Sequence, residues 1–223
     1  MKVVAVIPAY NEGSRIREAV RDARQYVDAV VVVDDCSRDE TGVTAFEEGA
    51  YTLRHVVNRG QGAALQTGAD FAVANLQADV VVHFDGDGQM QGADIPAMVA
   101  QLAEQGVDVV LGSRFLGKES DMPMTRRVTL KAALVFTRVV SGISISDPHC
   151  GFRVLSRRAC GAIRFRQDRM AHASEVHDLI KSHKLAYASF PVSIRYTQET
   201  LKKGMSFWNG FTVLKDYFKH KFF

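Results

Sequence analysis

Two patterns of apolar residues alternate along the chain. Five short runs are continuously apolar and rich in β-branched residues: 3–7 (VVAVI), 29–33 (AVVVV), 51–56 (YTLRHV), 79–84 (DVVVHF) and 107–111 (VDVVL). Runs of this length suit strands buried on both faces of a parallel sheet. Between them lie stretches that read as helices, over about 13–25, 39–48, 62–75 and 93–104. Ser37 and Asp39 can cap the second helix, and Asp94 with Pro96 fits the start of the fourth. Strand and helix alternate through residue 112, which predicts an α/β, doubly wound sheet. The later part is less regular. A helix near 125–141 is followed by a Gly/Pro/Asp-rich turn at 146–151, a short strand and two more helices. A strand-like AYASFPVSIRYT (186–197) comes next, with no internal repeat, low-complexity tract or linker anywhere.

Ligands of such sheets bind at the carboxyl ends of the strands, near the switch in strand order. The five expected strand ends read PAYNE, DDCS, NRGQG, DGDGQ and GSRF. Each is polar or small, and that clustering points to one site. The fourth end is the most specific. Asp85 and Asp87 place two like charges one residue apart, so a positive partner between them is expected. A hard cation such as Mg²⁺ or Mn²⁺ takes oxygen ligands and retains waters or substrate phosphates. It would bridge a diphosphate and act as a Lewis acid for its departure. Gln89 can add a carbonyl ligand. A solvated turn with capping aspartates is the plain alternative; a calcium loop lacks its later ligands.

Composition narrows the class. The 223 residues are 47% apolar, enough for one large domain with a sizeable core. A net charge of +3 is too small to argue for nucleic acid. Cys36, Cys150 and Cys160 are scattered and form no C-x-x-C pair, which suggests a reducing cytoplasm. MKVVAVIPAYNE reads as a first strand rather than a signal peptide. The longest apolar segment, 132–145, carries Arg138 and is too short to span a bilayer. A soluble or peripheral cytoplasmic protein is expected, placed at the inner face of the plasma membrane if peripheral.

Taken in order, VIPAYNE (6–12), VVVDDCSRDET (31–41), N-x-G-x-G-A (58–63), DGDGQ (85–89), GSR (112–114) and DPHCGFRVLSR (147–157) form a set. It resembles the family 2 inverting glycosyltransferases of GT-A fold, nearest the polyprenyl-phosphate mannosyl- and glucosyltransferases, the dolichol-phosphate mannose synthase-like group. The resemblance implies a Rossmann-like, mostly parallel central sheet flanked by helices in a single domain, residues 1–200. It implies that Pro8, Tyr10 and Glu12 line the nucleotide pocket, that Gly62 belongs to the donor site, and that Asp35 accepts a hydrogen bond from the base. Asp85 would face the ribose or the metal, and Asp87 would hold Mg²⁺ or Mn²⁺ with Gln89. Arg114 would lie near the diphosphate or an acceptor phosphate, with Arg126 or Arg127 as a second cation. Arginine forks and a divalent cation stabilise charge where a leaving diphosphate develops it. Gln61 stands where relatives often have lysine or leucine and receives no role.

The implied reaction moves a single sugar from a UDP- or GDP-sugar to a polyprenyl phosphate or a glycan hydroxyl, in cell-envelope polysaccharide or glycoconjugate synthesis. A hydroxyl nucleophile needs a general base; an ionised phosphate does not. MAHASEVHDLI (170–180) offers Glu175 as that base, with Asp178 beside it, although an acidic residue in a first helical turn also suits the helix dipole. Asp147 is a weaker candidate in a turn that shapes the acceptor side, and His149 or His172 are possible extra metal ligands. Rival readings are a sugar-1-phosphate nucleotidyltransferase, disfavoured by the acidic loop after the first strand, and a non-catalytic nucleotide-sugar-binding protein. The tail, 201–223, carries Phe207, Phe211, Leu214, Phe218 and Phe222 at helical spacing among lysines. It is expected as a basic aromatic amphipathic helix meeting a membrane surface or a membrane-protein partner. The alternative is packing on its own domain or on the twin subunit of a homodimer.

Overall fold

A computed structural model describes residues 1–116, 146–147, 150–167 and 172–195. The expected helix at 125–141, Arg126, Arg127, His149, and the tail with its boundary near 200 lie outside these residues.

Seven strands form one sheet in the order β3-β2-β1-β4-β6-β5-β7. They are β1 (Val3–Ala9), β2 (Ala29–Asp34), β3 (Tyr51–Arg54), β4 (Val80–His83), β5 (Val109–Ser113), β6 (Arg153–Ser156) and β7 (Tyr187–Pro191). The first four pair in parallel, as the continuous apolar runs predict. Alternate residues of β1 enter opposite cores: Ala5 and Ile7 one, Val4 and Val6 the other. Helices α1 (Ile16–Arg24), α2 (Thr41–Glu47) and α4 (Ile95–Gln105) cover the first core. Helices α3 (Gln61–Ala74), α5 (Arg157–Ala162) and α6 (His172–Ser182) cover the second. The result is a three-layer α/β/α arrangement.

Helix α3 packs tightly on the sheet. A Cβ on Gly68 would stand 2.3 Å from Val6 Cγ1 and 3.2 Å from Val33 Cγ2, so only glycine lets the helix settle at that height.

Two local expectations change. Asp39 Oδ1 accepts the Thr41 N–H at 3.1 Å and so does help start α2, but the Ser37 hydroxyl instead accepts the Asn11 N–H at 2.9 Å. Asp94 precedes α4 without capping it; its Oδ2 accepts the Ser193 N–H at 3.0 Å. Among the described residues of the strand-like stretch 186–197, Tyr187–Pro191 form a strand.

One feature of topology was not legible. Strand β6 runs antiparallel between β4 and β5. Because it runs backwards, its amino end, beginning at Arg153, lies beside the carboxyl ends of β4 and β5. After β3 the chain crosses over β2 and β1 to enter the sheet as β4. The strand order therefore reverses between β1 and β4, and a crevice opens there.

Candidate active site

A cleft of about 490 Å³ occupies that crevice. The end of β1 supplies Pro8, Ala9, Tyr10 and Glu12, and the end of β2 supplies Asp35. Asn58 and Gly60 precede α3, whose first turns add Gln61 and Ala64; the end of β4 adds Asp85, Gly86 and Asp87. The cleft thus gathers Pro8, Tyr10, Glu12, Asp35, Asp85 and Asp87 from separate strand ends. Gly62 is buried one residue inside α3 and does not line it.

The loops that carry these groups are tied together. Asn11, in the left-handed region (φ 54), accepts the Arg38 N–H on its Oδ1 at 2.9 Å. The Glu12 N–H donates to Thr41 Oγ1 at 2.9 Å, and the Glu12 carboxylate pairs with Arg15. The two aspartates of DDCS divide their work. Asp34 is fully buried, accepts the Ser37 N–H at 2.8 Å and faces Arg54 at 3.5 Å, so it builds the turn. Asp35 faces the cleft, where the Arg59 and Gly60 N–H groups and His55 meet its carboxylate.

At the other end, Asp85 accepts a hydrogen bond from Gln61 Nε2 at 2.9 Å. Burial, with the Asp87 charge adding, pushes the Asp85 carboxyl up to about 7, against the opposing pull of Arg153, Arg114 and Gln61. Asp87 Oδ1 accepts the Gln89 N–H at 3.0 Å, which fixes the turn between them. The Gln89 carbonyl accepts the Arg195 N–H at 2.8 Å, and Gln89 is not among the residues lining the cleft. Among the described residues, no group of three or more His, Cys, Asp and Glu converges as a metal cage. Two carboxylates, one of them strained toward the neutral form by its surroundings, suit a hard cation that keeps positions for water and phosphate oxygens. The residues present fit Mg²⁺ or Mn²⁺.

Gly151 packs against Asp85: a Cβ there would lie 2.7 Å from Asp85 Oδ2. Beneath Asp85, β6 places Arg153 opposite His83 of β4, both 1% exposed. Arg153 Nε and Nη1 and both His83 ring nitrogens have no hydrogen-bond partner. Burial first, then the Arg153 and His172 charges, hold His83 well below the usual histidine range, so it stays neutral. Arg153 supplies positive charge under the carboxylates.

Arg114 is gripped from one side. Its Nε and Nη2 donate to the two oxygens of Asp147 at 2.6 and 2.7 Å, and Asp147 is 2% exposed. Such a fork fixes the guanidinium plane. Glu175 Oε1 and Oε2 accept the Arg166 and Gln167 N–H groups, each at 2.9 Å, and Glu175 does not line the cleft. His172 is 2% exposed and meets Phe165 edge-on at 5.6 Å.

Gln61, His55, His83 and Arg153 carry parts of the site that the residue patterns left out. The charge inside GFRVLS and the imidazole inside VVVHF were the available signals, since buried Arg and His inside apolar strands need a reason. Gln61 gave none, because its role depends on where α3 begins.

Residues 4–164 match the sequence model described as glycosyl transferase family 2. The chain belongs to glycosyl transferase family 2. It is a glycosyltransferase of GT-A fold, and the nucleotidyltransferase and non-catalytic readings fall away. The glycosyltransferase is 31% identical to an uncharacterized protein of Methanocaldococcus jannaschii, over 100% of this chain and 93% of that one. It is 28% identical to the UDP-N-acetylglucosamine–dolichyl-phosphate N-acetylglucosaminyltransferase of Methanococcus voltae, over 95% of this chain and 92% of the relative. Its fold is like that of glucosyl-3-phosphoglycerate synthase from Mycobacterium tuberculosis, solved with Mn²⁺, UDP and glucosyl-3-phosphoglycerate. The TM-score is 0.65 at 21% identity, covering 91% of this chain and 75% of that one.

Proposed function

We propose that this glycosyltransferase moves a single sugar, with inversion, from a nucleoside-diphosphate sugar (UDP or GDP) to a polyprenyl phosphate at the cytoplasmic face of the plasma membrane. The observation that carries the reading is one cleft with carboxylates from the strand ends on either side of β1: Asp35 for a base, Asp85 with Asp87 for a metal-bound diphosphate. Asp85 and Asp87 would hold Mg²⁺ or Mn²⁺. When bound, the ion supplies charge neutralisation for the departing diphosphate. Pro8 and Tyr10 would wall the nucleoside, and Gly60, Gln61 and Gly62 would bring the first turn of α3 toward the phosphates, where a helix amino end favours anions. Arg114, its plane fixed by Asp147, would face the phosphates of donor or acceptor; Arg126 and Arg127 are assigned the same task.

The acceptor follows from what Glu175 does. Each of its oxygens accepts a main-chain N–H, and it does not line the cleft, so it is poorly placed to reach a nucleophile there. A phosphate nucleophile is already ionised and asks for no base. The dolichyl-phosphate acceptor in the name of the Methanococcus voltae relative supports the same choice. Among the described residues, no helix is long and apolar enough to cross a membrane; contact with the lipid is assigned to the basic, aromatic 201–223 segment or to a membrane partner.

The test is transfer from labelled UDP- and GDP-sugars, with Mn²⁺, to a short-chain polyprenyl phosphate or to a glycan. The expected product is an acid-labile, organic-soluble sugar phosphate. Label appearing only on glycan hydroxyls would overturn the acceptor assignment and return Glu175 to the role of base.

A further inference from the structure

Strand β3 closes one side of the sheet, with β2 as its neighbour. The His55 N–H donates to the Asp34 carbonyl at 2.9 Å. Alternate residues of a strand aim their main-chain groups the same way. Leu53 therefore faces β2 as His55 does, while Thr52 and Arg54 turn their N–H and C=O groups outward. Such an edge invites pairing unless a proline, a bulge or a charged side chain blunts it. YTLR holds no proline. Its one charge, Arg54, is drawn back over the sheet end: Nη2 donates to the Ser37 carbonyl at 2.8 Å, and Nη1 lies 3.5 Å from Asp34. Apolar side chains surround this edge. Among the described residues nine large apolar side chains are exposed, and five of them are Val43, Phe46, Tyr51, Val56 and Val57. Val43 and Phe46, three apart on α2, share one face of that helix, and Phe46 is 72% exposed. Tyr51 leans on Phe71 at 6.0 Å between ring centroids, on the other side of the sheet. Val56, 93% exposed, and Val57 stand on a loop tied at both ends, by the His55 N–H and by the Arg59 N–H on Asp35 Oδ1 at 2.9 Å. The ties hold both valines out of the core.

We propose that this edge is a self-association surface: two copies of the chain pair β3 against β3, antiparallel, about a two-fold axis at Leu53. The outward groups set the register. Thr52 exchanges N–H···O=C bonds with the partner's Arg54, Arg54 does the same with the partner's Thr52, and Leu53 faces the partner's Leu53 across a non-hydrogen-bonded pair. Charge selects a second copy as the occupant. Arg54 ends β3, whereas Glu47, paired with Arg17 at 3.3 Å and with its side chain 57% exposed, ends α2 just before β3 begins. Antiparallel pairing brings each Arg54 toward the partner's Glu47. The surface thus complements itself, as a two-fold contact requires. Val43 and Phe46 close over the seam on the α2 side and Tyr51 on the α3 side. Val56 and Val57 extend the contact toward the turn that precedes the partner's β3. Apolar area that one chain leaves in water is buried by two.

Sedimentation velocity of the full chain, from about 0.1 to about 50 µM, tests this. The unaltered chain should show a monomer–dimer equilibrium with a Kd of about 1 µM or tighter. Thr52→Pro removes an outward N–H and no bond to β2, a change that edge strands tolerate. Phe46→Glu places a charge in the apolar rim at a position already in solvent. Each variant should raise the Kd at least about tenfold while keeping the circular dichroism spectrum of the unaltered chain. A chain that stays monomeric at the highest concentration overturns the proposal. So does a dimer that either folded variant keeps at full affinity, since the contact then lies elsewhere on the molecule. A monomer that instead co-sediments with vesicles of anionic phospholipid, and loses them on Phe46→Glu, gives the patch to a lipid surface and overturns the pairing as well.

Discussion

Asp85 is held where its charge is disfavoured until something binds. Burial and Asp87 raise its carboxyl to about 7, above the unfolded value of about 4. A carboxyl raised on folding contributes its stability fully below the unfolded value and loses it as pH rises through the folded one. Metal-free protein should therefore lose roughly 5–10 °C of melting temperature between pH 5 and pH 8. Mn²⁺ should return it, and Asp85→Asn should flatten the profile while abolishing Mn²⁺-dependent nucleotide binding. A metal-free profile that is already flat would contradict the assignment. Gly151 sets the same carboxylate from the other side. In Gly151→Ala the new methyl would overlap Asp85 Oδ2, 2.7 Å from the position of its Cβ, and turn the carboxylate away. Mn²⁺ affinity should fall about tenfold or more in a titration, with a small change in melting temperature.

At the scale of elements, the readable part of the sequence was the strand ends. PAYNE, DDCS and DGDGQ each terminate a β-branched run, and parallel topology forces those termini to one edge. Helix α3 was visible too, but its first residue was not, and Gln61 enters the site only because the helix starts there. The DDCS pair was legible as acidic, yet its division into a turn-building Asp34 and a cleft-facing Asp35 needed the alternation of side chains at the end of β2. Glu175 was legible as a carboxylate opening α6, while its partners, two main-chain N–H groups at 166 and 167, come from the preceding loop. Glu175→Gln keeps one acceptor and turns an amide against the second N–H. It should cost about 1–2 kcal/mol in denaturant unfolding. Turnover with a polyprenyl phosphate should stay within about threefold, against the 10²-fold or larger loss expected for a general base.

For the whole molecule, the parallel half was written in hydrophobic pattern and the antiparallel insertion was not. RVLS reads as a strand in either direction; only its pairing with β4 and β5 fixes which. Asp108 secures that region. Its N–H donates to the Ala186 carbonyl at 2.8 Å, its carbonyl accepts the Ser156 N–H at 2.9 Å, and its Oδ2 accepts the Ala186 N–H at 3.0 Å. Asp108→Ala should lower stability by about 2 kcal/mol, roughly 4–8 °C in the melting curve. Nucleotide affinity should hold, because the cleft-lining residues come from β1, β2, α3 and the end of β4.

The reversed course of β6 has a consequence for how the enzyme comes into being. On the ribosome, residues 1–90 emerge with every residue that lines the cleft, but Gly151 and Arg153, the neighbours that confine and counterbalance Asp85, arrive some sixty positions later. A nascent chain halted in between would carry the cleft-lining residues without those neighbours, and Asp85 would gain its surroundings only when the late segment threads back into the sheet.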